Sequence, residues 1–173
     1  YEKHPVKLAD SLLTLHDASN GRAMMLVGGL GKSAMRAMGL EPAVWHLNEG
    51  HAAFVVLQRI REHIEQGLSF DDALEMVRRS TVFTTHTPVP AGHDHFGEEM
   101  IWGYFQDFCH EIGMSREAFL ALGRVADSRD FNMTALAIRG SRYHNGVSRI
   151  HGGVSSRICS PLWPQVDPPE NSL

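Results

Sequence analysis

The chain has 173 residues, 43% of them hydrophobic and 21% charged, with a formal net charge of −4 at neutral pH. That length and composition suit one globular core and exclude wholesale disorder. The mild negative charge and the lack of any Lys/Arg-rich block argue against a nucleic-acid or anionic-membrane partner. No apolar run approaches the roughly 20 residues that a membrane-spanning helix needs.

Two cysteines, Cys109 and Cys159, stand in unlike contexts and form no CxxC pair, which reads as two free thiols in a reducing compartment. No charged-then-apolar leader opens the sequence, and a cytoplasmic location is the expectation. Both ends read as cut. Tyr1 stands in place of an initiator methionine, and Pro168-Pro169-Glu170-Asn171-Ser172-Leu173 trails off without a cap, so the chain is expected to be a piece of a longer protein.

In chain order, Leu8, Leu12, Leu13 and Leu15 suggest a short helix ending at Asn20-Gly21. The apolar run Ala23–Val27 leads into Gly28-Gly29-Leu30-Gly31-Lys32-Ser33-Ala34. A phosphate-cradling loop fails there, because Leu26 occupies the position of its first glycine. Gly29, Gly31 and Ala34 do satisfy G-x-G-x-x-A. The preceding run, however, is rich in methionine rather than β-branched residues, and Glu41 and Glu49 fall short of the acidic residue expected about 20 positions beyond the fingerprint's end at Ala34. A glycine-kinked helix packed close to a neighbour is the plainer reading, running through Ala34–Met38 and stopping at Gly39. Beyond Pro42, Ala43–Leu47 predicts a short buried strand that ends in Asn48-Glu49-Gly50-His51, with Gly50 allowing a tight backbone.

Ala52–Gln66 is the clearest helix. Phe54, Val55, Leu57, Ile60 and Ile64 form its inward face and Arg59, Arg61, Glu62 and Glu65 the outward one. Gly67 ends it. Ser69 is placed to cap a second helix, Phe70–Arg79, with Asp71 and Asp72 in the positive first turn and Arg78 and Arg79 in the negative last turn. The β-branched and aromatic run Thr81-Val82-Phe83-Thr84-Thr85 then predicts a buried strand. It empties into a loop stiffened by Pro88, Pro90 and Gly92 and carrying His86, His93 and His95. Strand, helix pair and strand together favour a parallel sheet with right-handed crossovers, whose strand-end loops converge on one crevice.

Glu98–Ile112 predicts a further helix, and Ser115 caps another that runs to Leu122. Asp127–Asp130 reads as loop and Phe131–Arg139 as helix. Ser141-Arg142-Tyr143-His144 reads as a turn into Asn145-Gly146-Val147, followed by a last helix over Ser148–Ile158. Backbone N–H groups at Asn145-Gly146, just before that helix, would offer an anion or hydroxyl site. Beyond Pro161 the chain is expected to be extended or a linker.

Histidine is the residue in excess, at 11. His46, His51, His86, His93, His95, His144 and His151 all fall at predicted element ends. No H-E-x-x-H occurs, and His46 and His51 are poorly spaced for two ligands on one helix face. Three readings stay open on residues alone: a zinc site assembled from separate loops, ordinary hydrogen-bonded histidines, and a polar pocket whose neutral imidazoles and amides grip a hydroxyl-rich ligand. Glu49 is the carboxylate best placed to be perturbed. A general-acid role would need a second carboxylate across the pocket, for which Asp94 is the candidate. No G-x-S-x-G elbow is present, and neither cysteine has a nucleophile's motif.

Three blocks together resemble one family, the α-glucan phosphorylases, and most closely their short bacterial type. They are His46–Phe54 (HLNEGHAAF), Val82–Asp94 (VFTTHTPVPAGHD) and Phe131–His151 (FNMTALAIRGSRYHNGVSRIH). Gly28, Gly31, Ala34, Arg36, Ala37 and Gly39 match the family's preceding glycine-containing helix. The resemblance covers about Leu26 to Arg157. It implies a partial Rossmann-like parallel sheet with flanking helices, part of the N-terminal half of a GT-B glycosyltransferase. Residues 1–25 are a poorly matched segment, 26–158 the partial N-terminal domain, and 159–173 a proline-rich tail or linker.

The activity implied is transfer of the terminal glucose of an α-1,4-glucan or maltodextrin to phosphate, giving glucose 1-phosphate. The implied cofactor is pyridoxal phosphate, held by a Schiff-base lysine of a C-terminal domain that this chain lacks, so the fragment is expected to bind none and to be inactive alone. By the same resemblance His86 is the catalytic residue holding the departing glucose, with Thr87, Asn145, Gly146 and Val147 lining the sugar pocket and Asn48, Glu49 and His51 supporting that wall. Two rivals remain: a non-catalytic glucan-binding module and a histidine-ligated metal hydrolase. A glycogen synthase fits the three blocks less well.

Overall fold

A computed structural model describes residues 39, 42–126, 128–168, 170–171 and 173. The chain divides into two compact units, Tyr1–Trp45 and His46–Leu173, and nearly all described residues belong to the second. The predicted helix near Leu8–Leu15 and the glycine-rich stretch Gly28–Ala34 lie outside the described residues. Gly39 is described, and its φ of 65° is the left-handed conformation expected of a helix-terminating glycine.

Strand β1 covers Trp45–Asn48 and is followed by a one-turn 3-10 helix, Gly50–Ala52. Helices α1 (Phe54–Glu65) and α2 (Phe70–Arg79) lead to strand β2 (Thr81–Thr85). After a 3-10 turn at Pro90–Gly92, a short strand β3 (His95–Phe96) precedes helices α3 (Glu98–Glu111) and α4 (Arg116–Gly123). Strand β4 (Phe131–Asn132), helix α5 (Met133–Arg139), strand β5 (Tyr143–Gly146) and helix α6 (Arg149–Ile158) complete the order. The main sheet has three strands in the order β1-β2-β5, and β2 and β5 run parallel with Thr84 opposite Asn145 and Thr85 opposite Gly146. A small antiparallel pair, β3 and β4, stands apart from it in sheet order.

The helix starts follow their capping residues. Ser69 accepts from the Asp72 N–H, Ser115 from the Ala118 N–H and Ser148 from the His151 N–H, each satisfying a donor that the first turn leaves free. Two expected elements change type. Phe131–Asn132 is strand rather than helix, because Asn132 caps α5 through Ala135 N–H and pushes the helix start to Met133. Tyr143–Gly146 is strand rather than turn, since pairing with β2 overrides the low strand propensity of Asn145 and Gly146. The tail also departs from an extended run. Ser160–Leu162 forms a 3-10 turn, and buried Asn171 exchanges hydrogen bonds with Ser156, at 2.8 Å to its hydroxyl and 2.8 Å to its carbonyl.

The core lies between the sheet and the helices. Leu47, Val56, Leu57, Ile60, Val77, Phe83 and Leu136 are all fully or nearly fully buried. A side chain at Gly140 would meet both methyls of Val56 at 2.5 Å, so α1 and the end of α5 approach as closely as backbone allows. Arg59 corrects the predicted outward face of α1. It is 8% exposed and donates to Thr81 Oγ1 at 2.6 Å and Ser80 Oγ at 2.6 Å, tying α1 to the entry of β2. Burial lowers its guanidinium to about 10, and it stays charged at neutral pH.

Candidate functional site

The sheet brings the ends of β1, β2 and β5 side by side, which places Glu49, His86 and the Asn145–Val147 stretch next to one another at the strand ends. Glu49 is the residue on which this region turns. Its φ of 78° and ψ of 164° put a non-glycine side chain in a region populated almost only by glycine. Such backbone costs about 1–3 kcal/mol and persists only where the surroundings over-determine it. Here the carboxylate supplies that constraint. Oε2 accepts from the His86 N–H at 2.7 Å and the Thr87 hydroxyl at 2.8 Å, while Oε1 accepts from the Gly50 N–H at 3.1 Å and the Thr85 hydroxyl at 3.3 Å. The Glu49 N–H in turn donates to the Thr84 carbonyl at 2.9 Å, continuing the β1–β2 pairing one residue past the strand.

Burial by itself raises the Glu49 carboxyl. The N–H of His86, the Thr87 hydroxyl, the Gly50 N–H and the nearby His93 together outweigh it and hold the group below the ordinary carboxylate value. It is an ionised acceptor at neutral pH, with both oxygens committed to donors. This does not suit a general acid, which must hold a proton to give.

A second polar row crosses the sheet. His46 Nε2 lies 2.7 Å from Thr84 Oγ1, and the Thr84 hydroxyl donates to Asn145 Oδ1 at 2.9 Å. A hydroxyl has one hydrogen, so Thr84 must accept from His46, which therefore carries its proton on Nε2. Asn145 Nδ2 donates to the Gly146 carbonyl at 3.1 Å, consistent with the same amide orientation. Burial, and then the neighbouring His86, lower the His46 imidazole. Gly146 is required where it stands: a Cβ there would lie 2.7 Å from both Gly152 N and His151 Nδ1.

The expected site residues sort clearly. His86, Asn145 and Val147 are exposed at the strand ends, Thr87 and Gly146 are half-buried beside them, and Glu49 is half-buried beneath His86. Asn48 and His51 are exposed on either side of Glu49–Gly50. Gly50 does not supply the left-handed turn its neighbours suggest; that falls to Glu49. Gly50 is instead a point of close approach, where a Cβ would meet Thr134 Oγ1 at 3.1 Å. Sequence reasoning missed Thr84 and counted His46 only among the histidines at element ends, without placing it in the sugar wall. Their only signal is that Thr84 and Asn145 end neighbouring strands, which needs the register to be read.

His93 is 8% exposed, with Nδ1 2.6 Å from Thr134 Oγ1, while Asp94 is exposed. Burial lowers the His93 imidazole despite the opposing pull of Glu49. His93, Thr134 and Cys159 line a cavity of about 180 Å³, and a wider concavity of about 840 Å³ is lined by Arg124, Arg129 and Arg139. Neither hollow is lined by His86, Asn145 or Val147, which are exposed at the strand ends. Among the described residues no group of three or more His, Cys, Asp or Glu side chains could hold a metal ion. Burial pushes the Cys109 thiol up to about 11 and the Cys159 thiol up to about 12, the latter with Glu49 adding to the rise. Neither is an activated nucleophile.

No family model matches the chain. Curated proteins do. The chain is 47% identical over 139 residues to a maltodextrin phosphorylase from Thermococcus litoralis, covering 80% of this chain and 16% of that protein. It is 46% identical over 136 residues to a glycogen phosphorylase from Mycobacterium tuberculosis, covering 75% and 16%. A glycogen phosphorylase from Aquifex aeolicus is 32% identical over 137 residues, covering 78% and 20%. This chain is homologous to one segment of the α-glucan phosphorylases.

The segment spans about a sixth to a fifth of the length of these relatives. Its sheet and flanking helices accord with the α/β class expected of a partial GT-B phosphorylase domain. The chain's lysines, Lys3, Lys7 and Lys32, all lie outside the described residues. Among the described residues no helix is long and apolar enough to cross a membrane.

Proposed function

We propose that this chain forms one sugar-facing wall of an α-glucan phosphorylase, an enzyme that transfers the terminal glucose of an α-1,4-glucan or maltodextrin to phosphate, and that it works only with the remainder of such an enzyme. The observation that carries the reading is the 47% identity over 139 residues to a maltodextrin phosphorylase. The geometry supports it: His86, Asn145 and Val147 stand exposed together at the ends of neighbouring parallel strands, where a ligand can reach them.

On this reading His86 and Asn145 meet the glucosyl group, with Thr87, Gly146 and Val147 shaping its surroundings. A glucosyl transition state develops positive, oxocarbenium-like charge. Neutral donors and acceptors can orient it without competing as nucleophiles. Glu49, already saturated by donors, supports the wall and does not attack. Pyridoxal phosphate and the phosphate-binding groups belong to parts of the enzyme outside the described residues, and the proposed location of the assembled enzyme is the cytoplasm.

The test is the appearance of glucose 1-phosphate from maltodextrin and phosphate. Full-length protein with pyridoxal phosphate is expected to form it, and the purified 173-residue chain is not; turnover by the chain alone would overturn the division of labour. His86→Ala in the full-length protein is expected to lower kcat by about 10², and unchanged kinetics would remove His86 from the site. The exposed polar strand ends at His86 and Asn145 also suit a non-catalytic glucan-binding module. Micromolar binding of maltooligosaccharide by the isolated chain in calorimetry, with no turnover in any context, would select that alternative.

A further inference from the structure

We infer that Glu49 is the positioning residue of the His86 loop: its carboxylate fixes the two peptide groups that flank His86, and so aims the His86 carbonyl outward as an acceptor for a sugar hydroxyl. The assignment of the sugar rests on the phosphorylase reading; the clasp itself rests on geometry alone.

The Thr85–His86 peptide is held directly, because its N–H donates to Glu49 Oε2 at 2.7 Å. The His86–Thr87 peptide is held at one remove. Its N–H turns back toward Thr85 Oγ1 at 3.4 Å, and that hydroxyl donates to Glu49 Oε1 at 3.3 Å. In a planar trans peptide the carbonyl points opposite to the N–H. With the Thr87 N–H drawn inward toward the end of β2, the His86 carbonyl is turned away from it. The Thr87 hydroxyl, on Oε2 at 2.8 Å, anchors the next residue as well. Three successive residues thus converge on one carboxylate, whose own backbone adopts φ 78°.

Substitution by glutamine sharpens the point. Each carboxylate oxygen of Glu49 accepts from one N–H and one hydroxyl. A glutamine amide keeps one acceptor oxygen, so whichever way it is turned its NH2 faces one backbone N–H that it cannot satisfy and one threonine hydroxyl that has to turn round to accept. The near-isosteric change should therefore release part of the loop while leaving the packed core untouched.

Amide resonances of the 173-residue chain test the clasp without any need for turnover. An N–H bonded to a carboxylate shifts as that carboxylate is protonated, so the wild-type His86 amide is expected to follow an acid-range titration below pH 4.5. The other titratable groups coupled to Glu49 are His93 on the same loop and Cys159 after α6. Both remain in Glu49→Gln, so the variant isolates the carboxyl. The expected result is loss of the acid titration at His86 in Glu49→Gln and its retention in Glu49→Asp. Thr85→Val should keep it at His86 and displace the Thr87 amide only. No acid titration of the His86 amide in the wild type, or the same titration in Glu49→Gln, overturns the clasp.

In full-length protein, Glu49→Gln is expected to lower kcat for maltodextrin phosphorolysis tenfold to a hundredfold, roughly the cost of an ångström-scale misplacement, with partial recovery in Glu49→Asp. Undiminished phosphorolysis in Glu49→Gln overturns the positioning role and leaves the phosphorylase reading standing. Absence of phosphorolysis in the wild type overturns that reading, while the amide titration still decides the clasp.

Discussion

Two parts of the described domain are held in opposite ways. Around α3 and α4, Phe119 is fully buried and stacks on Phe105 and Phe131 with ring centroids 5.2 Å apart in each case; Phe105 also lies 5.0 Å from Phe54. Around the ends of β1, β2 and β5, a carboxylate, threonine hydroxyls and peptide N–H groups hold one another at hydrogen-bond distance. The aromatic region gains its stability from many weak, non-directional contacts that add up only when the rings stay closely packed. The polar wall has fewer interactions, but each fixes a direction, and it carries strained backbone at Glu49. One region makes the domain fold; the other makes one surface of it specific.

The largest effect that separates them is truncation of the aromatic stack. Phe119→Ala is expected to cost about 3–5 kcal/mol in denaturant unfolding, with the His86 and Asn145 resonances of the remaining folded fraction unmoved. Movement of both would show that the two regions are not independent. Gly146→Ala tests the other side. The added Cβ would collide with backbone at Gly152 as well as with His151, and the expected cost is about 1–3 kcal/mol. The damage should be local, shifting Asn145 and the start of α6 while the aromatic rings keep their packing.

The smallest effect is in pH dependence. His46 and His93 have imidazoles lowered by burial, so the unfolded chain takes up their protons first as pH falls below 6.5. Glu49 has its carboxyl lowered, so its contribution is present above 4.5 and is lost as pH falls through its folded value. Both act in one direction, toward lower stability in acid. Hydrogen exchange at pH 7 and pH 5, compared by segment, should show protection falling in β2 and β5 before α3 and α4. Equal loss across both would remove the polar wall's special sensitivity.

Legibility in the sequence follows the same division. The α2 helix could be read to the residue, because Ser69, the acidic first turn and the basic last turn are local signals. The β2 strand was equally plain from Thr81–Thr85. By contrast, β5 contains Tyr143-His144-Asn145-Gly146, which reads as a turn until β2 supplies a partner. Arg59 reads as a solvent-facing residue because its acceptors, Ser80 and Thr81, belong to another element. Glu49 could be singled out as perturbed, but its left-handed backbone could not be seen, since the glycine beside it is the residue that pattern reading credits with the turn. In each miss the deciding interaction spans two elements, and periodicity within one element carries no trace of it.

The row His46–Thr84–Asn145 has a consequence of its own. Each member gives one hydrogen to the next, so the row has a polarity, and no single rotation can reverse it. Reversal needs a change of tautomer at His46, a turn of the Thr84 hydroxyl and a flip of the Asn145 amide, all at once. Protonation of His46 leaves the polarity intact, because Nε2 remains the donor. Asn145 is therefore locked as a donor through Nδ2 whether His46 is neutral or charged. A ligand meeting this edge of the sheet finds the same hydrogen-bonding face on both sides of the imidazole's titration.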